Sequence, residues 1–263
     1  MRNLFMATVA TLFVAGTTTA AELGGSVGVE ITENTAGNYV AETTLGFGVT
    51  ADTGAGLAFS GFNLESVDAG NLTVDEWQLG IATDAVTVSF GDQGDIFIGN
   101  NFEIVGGDTI ANPASDHESL IVEFGSAAVL IGFTNITTDI GDIENVQGSY
   151  TLDVGAGAVT GVADYNVDSE DYTVGVRADY SVTADVAVGG IVTYASATEV
   201  VAYEASAGYS FATAFVNGDD TDAFQNVGAG VAYDFTGLNV YAEGTYNVNA
   251  ETNSVGAGVS FSF

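Results

Sequence analysis

Between about residue 23 and the C-terminal Phe263, segment after segment alternates, position by position, between apolar side chains and small or polar ones. Val255, Ala257, Val259, Phe261 and Phe263 oppose Gly256, Gly258, Ser260 and Ser262. Tyr172, Val174, Val176, Ala178 and Tyr180 oppose Thr173, Gly175, Arg177, Asp179 and Ser181, and residues 200–209 and 237–248 repeat the pattern. A period of two is that of a strand, whose successive side chains point to opposite faces. No long 3.6-residue periodicity competes with it. No 18-residue apolar run follows Ala21, so the mature chain has no helix with which to cross a bilayer.

The two faces differ in size as well as polarity. One carries Val, Ala, Leu, Phe and Tyr; the other carries Gly, Ser, Thr and isolated charges that cannot pack as a dry core. The second face therefore meets water, and the first must be covered by a second sheet or by lipid. Sixteen alternating segments can be marked out, several of them of the 9–11 residues a tilted strand needs to cross a membrane. Tight connections near Asp52–Gly54, Asp84, Gly125–Ser126, Gly155–Ala156, Thr183, Ser210–Phe211 and Thr236–Gly237 alternate with longer ones over 32–38, 66–73, 92–117, 136–144, 168–170, 195–199, 218–224 and 249–252. Short turns on one rim and longer loops on the other are the layout of a closed transmembrane barrel. The pattern is poorest in 55–65, where Phe62 and Leu64 fall out of phase, and in the short segment 212–217. Tyr39, Tyr172, Tyr194, Tyr209, Tyr233 and Tyr246 sit near segment ends, where a membrane protein places its aromatic girdles.

Charge narrows the function classes. Thirty-five Asp and Glu face two Lys and Arg, a formal net charge of −33, while 47% of residues are hydrophobic. That hydrophobic content excludes a disordered chain. The lack of bases excludes a nucleic-acid partner, because phosphate contacts require them. With no Cys there is neither a disulfide framework nor a thiolate metal site. Such self-repulsion is best tolerated where salt screens it, which suits saline surroundings.

Residues 1–20 read as a secretory signal peptide: Arg2, an apolar stretch from about Leu4 to Gly16, then small residues before Ala20. Cleavage there leaves Arg177 as the one basic residue of the domain 21–263.

The terminal run VGAGVSFSF resembles the last strand of the Gram-negative general porins, the trimeric diffusion channels of the outer membrane. WQLGIATDAVTVSFGDQGDIFIGN is similar to the fourth and fifth strands of alphaproteobacterial porins as they enter the constriction loop. SLIVEFGSAAVLIGF looks like the hairpin after that loop, and VGAGVAYDFTGLNVYAEGTY like the penultimate hairpins. The resemblance implies an all-β, antiparallel barrel of about sixteen strands whose third outer loop folds into the pore, assembled as a homotrimer in outer-membrane lipid. It also implies that Phe263 is the signal read by the barrel-assembly machinery. In one respect the chain departs from that family: the several bases usually set on the wall opposite the loop acids are missing, and only Arg177 is available.

Asp92, Asp95, Glu103, Asp108 and Asp116 lie in the long connection 92–117 and are the candidate constriction acids. The six large apolar residues of the same segment (Ile96, Phe97, Ile98, Phe102, Ile104 and Val105) could anchor it to the wall. On the strands, Glu123, Asp179, Glu204, Asp234 and Glu243 fall opposite the apolar residues and would line the lumen, with Arg177 beside Asp179 to neutralise it. Acid rings in a narrow passage select cations. His117 stands alone, without the spacing of a catalytic triad, and is expected to be a loop residue. Asp219, Asp220 and Asp222 lack calcium-loop spacing and read as solvated charge. The expectation is thus a passive channel for small polar solutes and ions, with no catalytic step, no cofactor and no metal. The alternative is a secreted or surface-attached acidic β-protein, an adhesin or structural barrel, without an open channel.

Overall fold

The computed structural model describes residues 21–33, 39–54, 56–67, 73–92, 96, 118–134 and 143–262. They form sixteen strands: β1 (Ala21–Glu33), β2 (Tyr39–Asp52), β3 (Leu57–Val67), β4 (Thr73–Ala82), β5 (Thr87–Asp92), β6 (Glu118–Phe124), β7 (Ala127–Phe133), β8 (Ile143–Asp153), β9 (Gly157–Asn166), β10 (Tyr172–Ser181), β11 (Val186–Ala195), β12 (Val200–Tyr209), β13 (Ala212–Asp219), β14 (Asn226–Asp234), β15 (Leu238–Asn247) and β16 (Thr252–Ser262). Each pairs antiparallel with its sequence neighbours, and β1 pairs with β16, so the sheet is a closed barrel. Closure satisfies the backbone groups that an open edge would leave unpaired, which is what lets strands stand in hydrocarbon. The expected all-β barrel and its strand count are therefore borne out.

The seven tight connections all lie on the rim where β1 begins and β16 ends. Thr53 N–H donates to Gly56 O at 3.0 Å, Val154 N–H to Gly157 O at 2.8 Å, and Phe235 N–H to Leu238 O at 2.7 Å. In the last of these, both central residues have positive φ, 55° at Thr236 and 89° at Gly237. That is the twist a two-residue hairpin needs to match its flanking strands. The opposite rim carries the longer connections, of which 93–117 is the longest.

Two irregularities re-phase the alternation. Phe62 pairs with Trp77 and Leu64 with Val74, so two residues of β4 oppose Asn63 alone. Phe62 and Leu64 thus share a face with their β2 partners Phe47 and Leu45. It is Leu57 and Phe59 that point to the other side. In β8, Asn145 pairs with Gly132 but Ile143 with Phe133, which makes Glu144 the extra residue. Each bulge keeps the next apolar side chain on the apolar face despite the odd spacing.

That face is the convex, exposed one. Val176 is 51% exposed and Val192 52%, whereas Arg177 and Asp179, on the alternate positions, are less so. An apolar exterior with a polar interior inverts the soluble arrangement, and it is the alternation of a barrel meant for lipid. Exposed aromatics gather at two levels. Tyr39, Tyr165, Tyr172 and Tyr246 lie toward the loop rim; Tyr180, Tyr209, Phe211, Tyr233 and Phe235 lie toward the turn rim. The rings of Tyr172 and Tyr194 sit 6.0 Å apart, and those of Tyr233 and Phe235 4.5 Å.

Candidate functional site

The register fixes which side chains share the concave wall. Arg177 pairs with Thr160 and Ile191, Ile191 with Glu204, and Glu204 with Asn217, so one inward row crosses five strands. Glu123 is inward with Thr87 and Ala128; Asp179 with Ala158 and Gly189; Asp234 with Asn239; Glu243 with Gly230 and Gly256. All six strand residues expected to line the lumen are thus placed on the inner face. Their surroundings differ: Glu204 is 3% exposed, while Glu123 and Asp234, toward the turn rim, are open.

Arg177 grips Asp179 with a forked pair of contacts, Nε to Oδ2 at 2.6 Å and a terminal guanidinium nitrogen to Oδ1 at 3.3 Å. Two residues apart on one strand put both heads on the same face. The only base of the domain is thereby engaged by a neighbouring acid. Asp92 closes β5, pairing with Trp77 and Glu118, and does not belong to the loop that follows. Asp95, Glu103, Asp108, Asp116, His117 and Phe263 lie outside the described residues, as does the segment 1–20. One described residue of the long connection, Ile96, donates its backbone N–H to Gln147 Oε1 at 3.0 Å. Gln147 projects inward from β8, paired with Leu130 and Asp164, and is 1% exposed.

Alternation places further acids on the inner wall beyond those expected: Glu22, Glu30 and Glu42 on β1 and β2, and Asp153 and Asp164 on β8 and β9. The same period of two, followed through these less regular strands, is the signal that points to them. Three features had no sequence signal. Tyr241 reaches across β16 and donates its hydroxyl to Glu30 Oε2 at 2.9 Å. Its ring occupies the space that a Cβ on Gly258 would need. Phe215 and Phe59 lie over Gly228 and Gly80 in the same way. Ring over glycine covers backbone that would otherwise be bare. An amide ladder also runs around the wall, Asn226 Nδ2 to Asn217 Oδ1 at 3.0 Å and Asn247 Nδ2 to Asn226 Oδ1 at 2.9 Å.

The outer acid cluster is organised by its own loop. Asp219 Oδ1 accepts from Thr221 N–H at 2.8 Å and Asp222 N–H at 2.7 Å, and Oδ2 from Gln225 Nε2 at 2.5 Å. Among the described residues no group of three acidic, His or Cys side chains is set to hold a metal ion.

No known family profile matches the sequence, and no curated protein sequence does. Solved structures do. A porin variant from Rh. blastica superimposes with a TM-score of 0.72 at 13% identity, covering 93% of this chain and 100% of that one. A loop-deletion form of OmpT, an outer membrane protein of Vibrio cholerae, gives 0.69 at 16% identity over 94% and 100%. Salmonella typhi OmpF gives 0.67 at 12% identity over 93% and 98%.

Proposed function

Because the chain carries the fold of the general porins, we propose that it is an outer-membrane channel for passive diffusion of small hydrophilic solutes and ions, with a preference for cations. The observation that carries this reading is the pairing of a closed barrel with a polar concave wall and an apolar convex one. Polar side chains on the inside bond one another where they can, as in the amide ladder, and otherwise face water. Asn145 Oδ1, Gln147 Nε2 and Thr193 Oγ1 are buried with no hydrogen-bond partner among the described residues, and bridging water would satisfy them.

Residues 93–117 are proposed to fold into the lumen and narrow it, with Asp95, Glu103, Asp108 and Asp116 at the constriction and Asp92 at its root. The bond from Ile96 to Gln147 supports this, and so does the burial of Ile121 and Leu130 at 8% and 1% exposure on the inner wall. An apolar side chain facing a lumen is buried when neighbouring side chains or an overlying segment cover it. Cation preference follows from the sign of the wall. Glu22, Glu30, Glu42, Glu123, Asp164, Glu204 and Glu243 face inward, against one Arg held by Asp179. Low-dielectric walls focus that field and raise the local concentration of counter-ions.

Export by residues 1–20, recognition of Phe263 by the barrel-assembly machinery and assembly as a homotrimer complete the proposal. OmpT of Vibrio cholerae, which shares the fold at a TM-score of 0.60, is known in a trimer form. The test is the reversal potential of the full chain in a planar bilayer across a salt gradient. A potential of the sign set by cations, shrinking as salt screens the wall charge, is expected. Anion selectivity would remove the cation claim, and absence of conductance would remove the channel.

A further inference from the structure

Resting on the channel reading, we infer that the inner wall of β1–β4 carries a docking site for a neutral, hydroxyl-rich solute of the saccharide class. A cavity of about 450 Å³ opens there, in the size range of small-molecule sites. Its floor is backbone: a Cβ placed on Gly48 would meet nothing nearer than Ser60 O, 3.8 Å away, so the space above this glycine is clear. Gly24 and Gly61 flank Gly48 in the register and line the same cavity. A flat ring can therefore lie close to the sheet.

Around that floor stand planar polar heads in fixed places. Asn63 Nδ2 donates to Glu76 Oε2 at 3.0 Å, which holds both. The amide of Asn63 and the hydroxyl of Ser26 lean over Gly46, and Gln78 Nε2 lies 3.9 Å from where Gly61 would carry a Cβ. Amides and carboxylates offer donors and acceptors in pairs, the arrangement that matches adjacent hydroxyls on one ring. Phe59, inward on β3 and seated over Gly80, supplies an apolar surface for the C–H side of such a ring. No described residue lining the cavity is basic, so phosphorylated or carboxylated solutes gain nothing there. Glu76 and Asp92 could instead attract an ammonium group, and this is the competing occupant the test must separate.

The full chain is placed in a planar bilayer, where its open-channel current first establishes that it conducts. Maltose is then added to one side. Saturable, concentration-dependent interruptions of the current are expected. Gln78→Ala should raise the half-blocking concentration about tenfold, as loss of one hydrogen-bonding head does. Gly48→Leu, which fills the floor, should abolish the interruptions. Gln78 is exposed, so its replacement leaves folding intact even if Gly48→Leu does not. Thr213→Ala, on the far inner wall, should change nothing. A conducting channel that maltose never interrupts overturns the inference while leaving the channel reading in place. So does interruption unchanged by Gln78→Ala, or interruption by tetramethylammonium alone.

Discussion

The inner wall has two unlike halves. From β6 to β13 the wall is closed off from its middle toward the loop rim: Leu130, Gln147, Ile191, Thr193 and Asn217 are each about 1% exposed. From β16 through β1 to β3 many inward positions are small, among them Ser260, Ser26, Gly28, Gly48 and Gly61, and the space above Gly48 is open. Both halves obey the same alternation. The period tells which way a side chain points, and residue size tells whether matter or water lies beyond it. A barrel can in this way fill one side of its interior and keep the other clear without changing its backbone.

The comparison can be broken most sharply at Leu130. Leu130→Ala should lower the unfolding free energy by about 2–5 kcal/mol, the cost of a cavity in a covered site; Ser26→Ala on the open half should leave it nearly unchanged. Denaturant unfolding in lipid vesicles measures both. Next, Val176→Arg on the convex face should cost about 2–4 kcal/mol, because a charge there meets hydrocarbon. If it costs nothing, the convex face is not the lipid face and the two halves are not an interior at all. Tyr241→Phe, which removes the bridge to Glu30 where the open half meets the closing strand, should cost about 1–2 kcal/mol. Smallest in stability is Arg177→Gln, below about 1 kcal/mol because the pair with Asp179 is partly solvated. Its reversal potential should move further toward cations, since Asp179 is then uncompensated.

Strand number, strand order and the sorting of short turns from long loops were legible in the residues because each rests on a local rule: period two, and turn chemistry at places such as Thr236–Gly237. The inward placement of Arg177, Asp179 and Glu204 could be read from the same rule. What was hidden depends on partners far away in sequence. The extra residue in β4 that returns Val74 to the outside is visible only once Phe62 is paired with Trp77. Tyr241 looks like any strand tyrosine until β16 is laid beside it and Gly258 makes room. The inequality of the two wall halves is likewise a property of the closed ring, since Thr193 and Thr44 both point inward and the first is 1% exposed while the second is open.

The seam between β1 and β16 has a consequence for how such a molecule comes into being. Val29 pairs with Val259 at the far end of the chain, so the barrel stays open until its two ends meet. Until then two rows of unsatisfied amides and carbonyls remain open, each a template for a stranger's strand. Pairing so distant in the chain is also slow to be found. The finished ring has no such vulnerability, so its hazard is confined to the period before closure, and whatever escorts the nascent polypeptide must keep its first and last strands from other company until they meet.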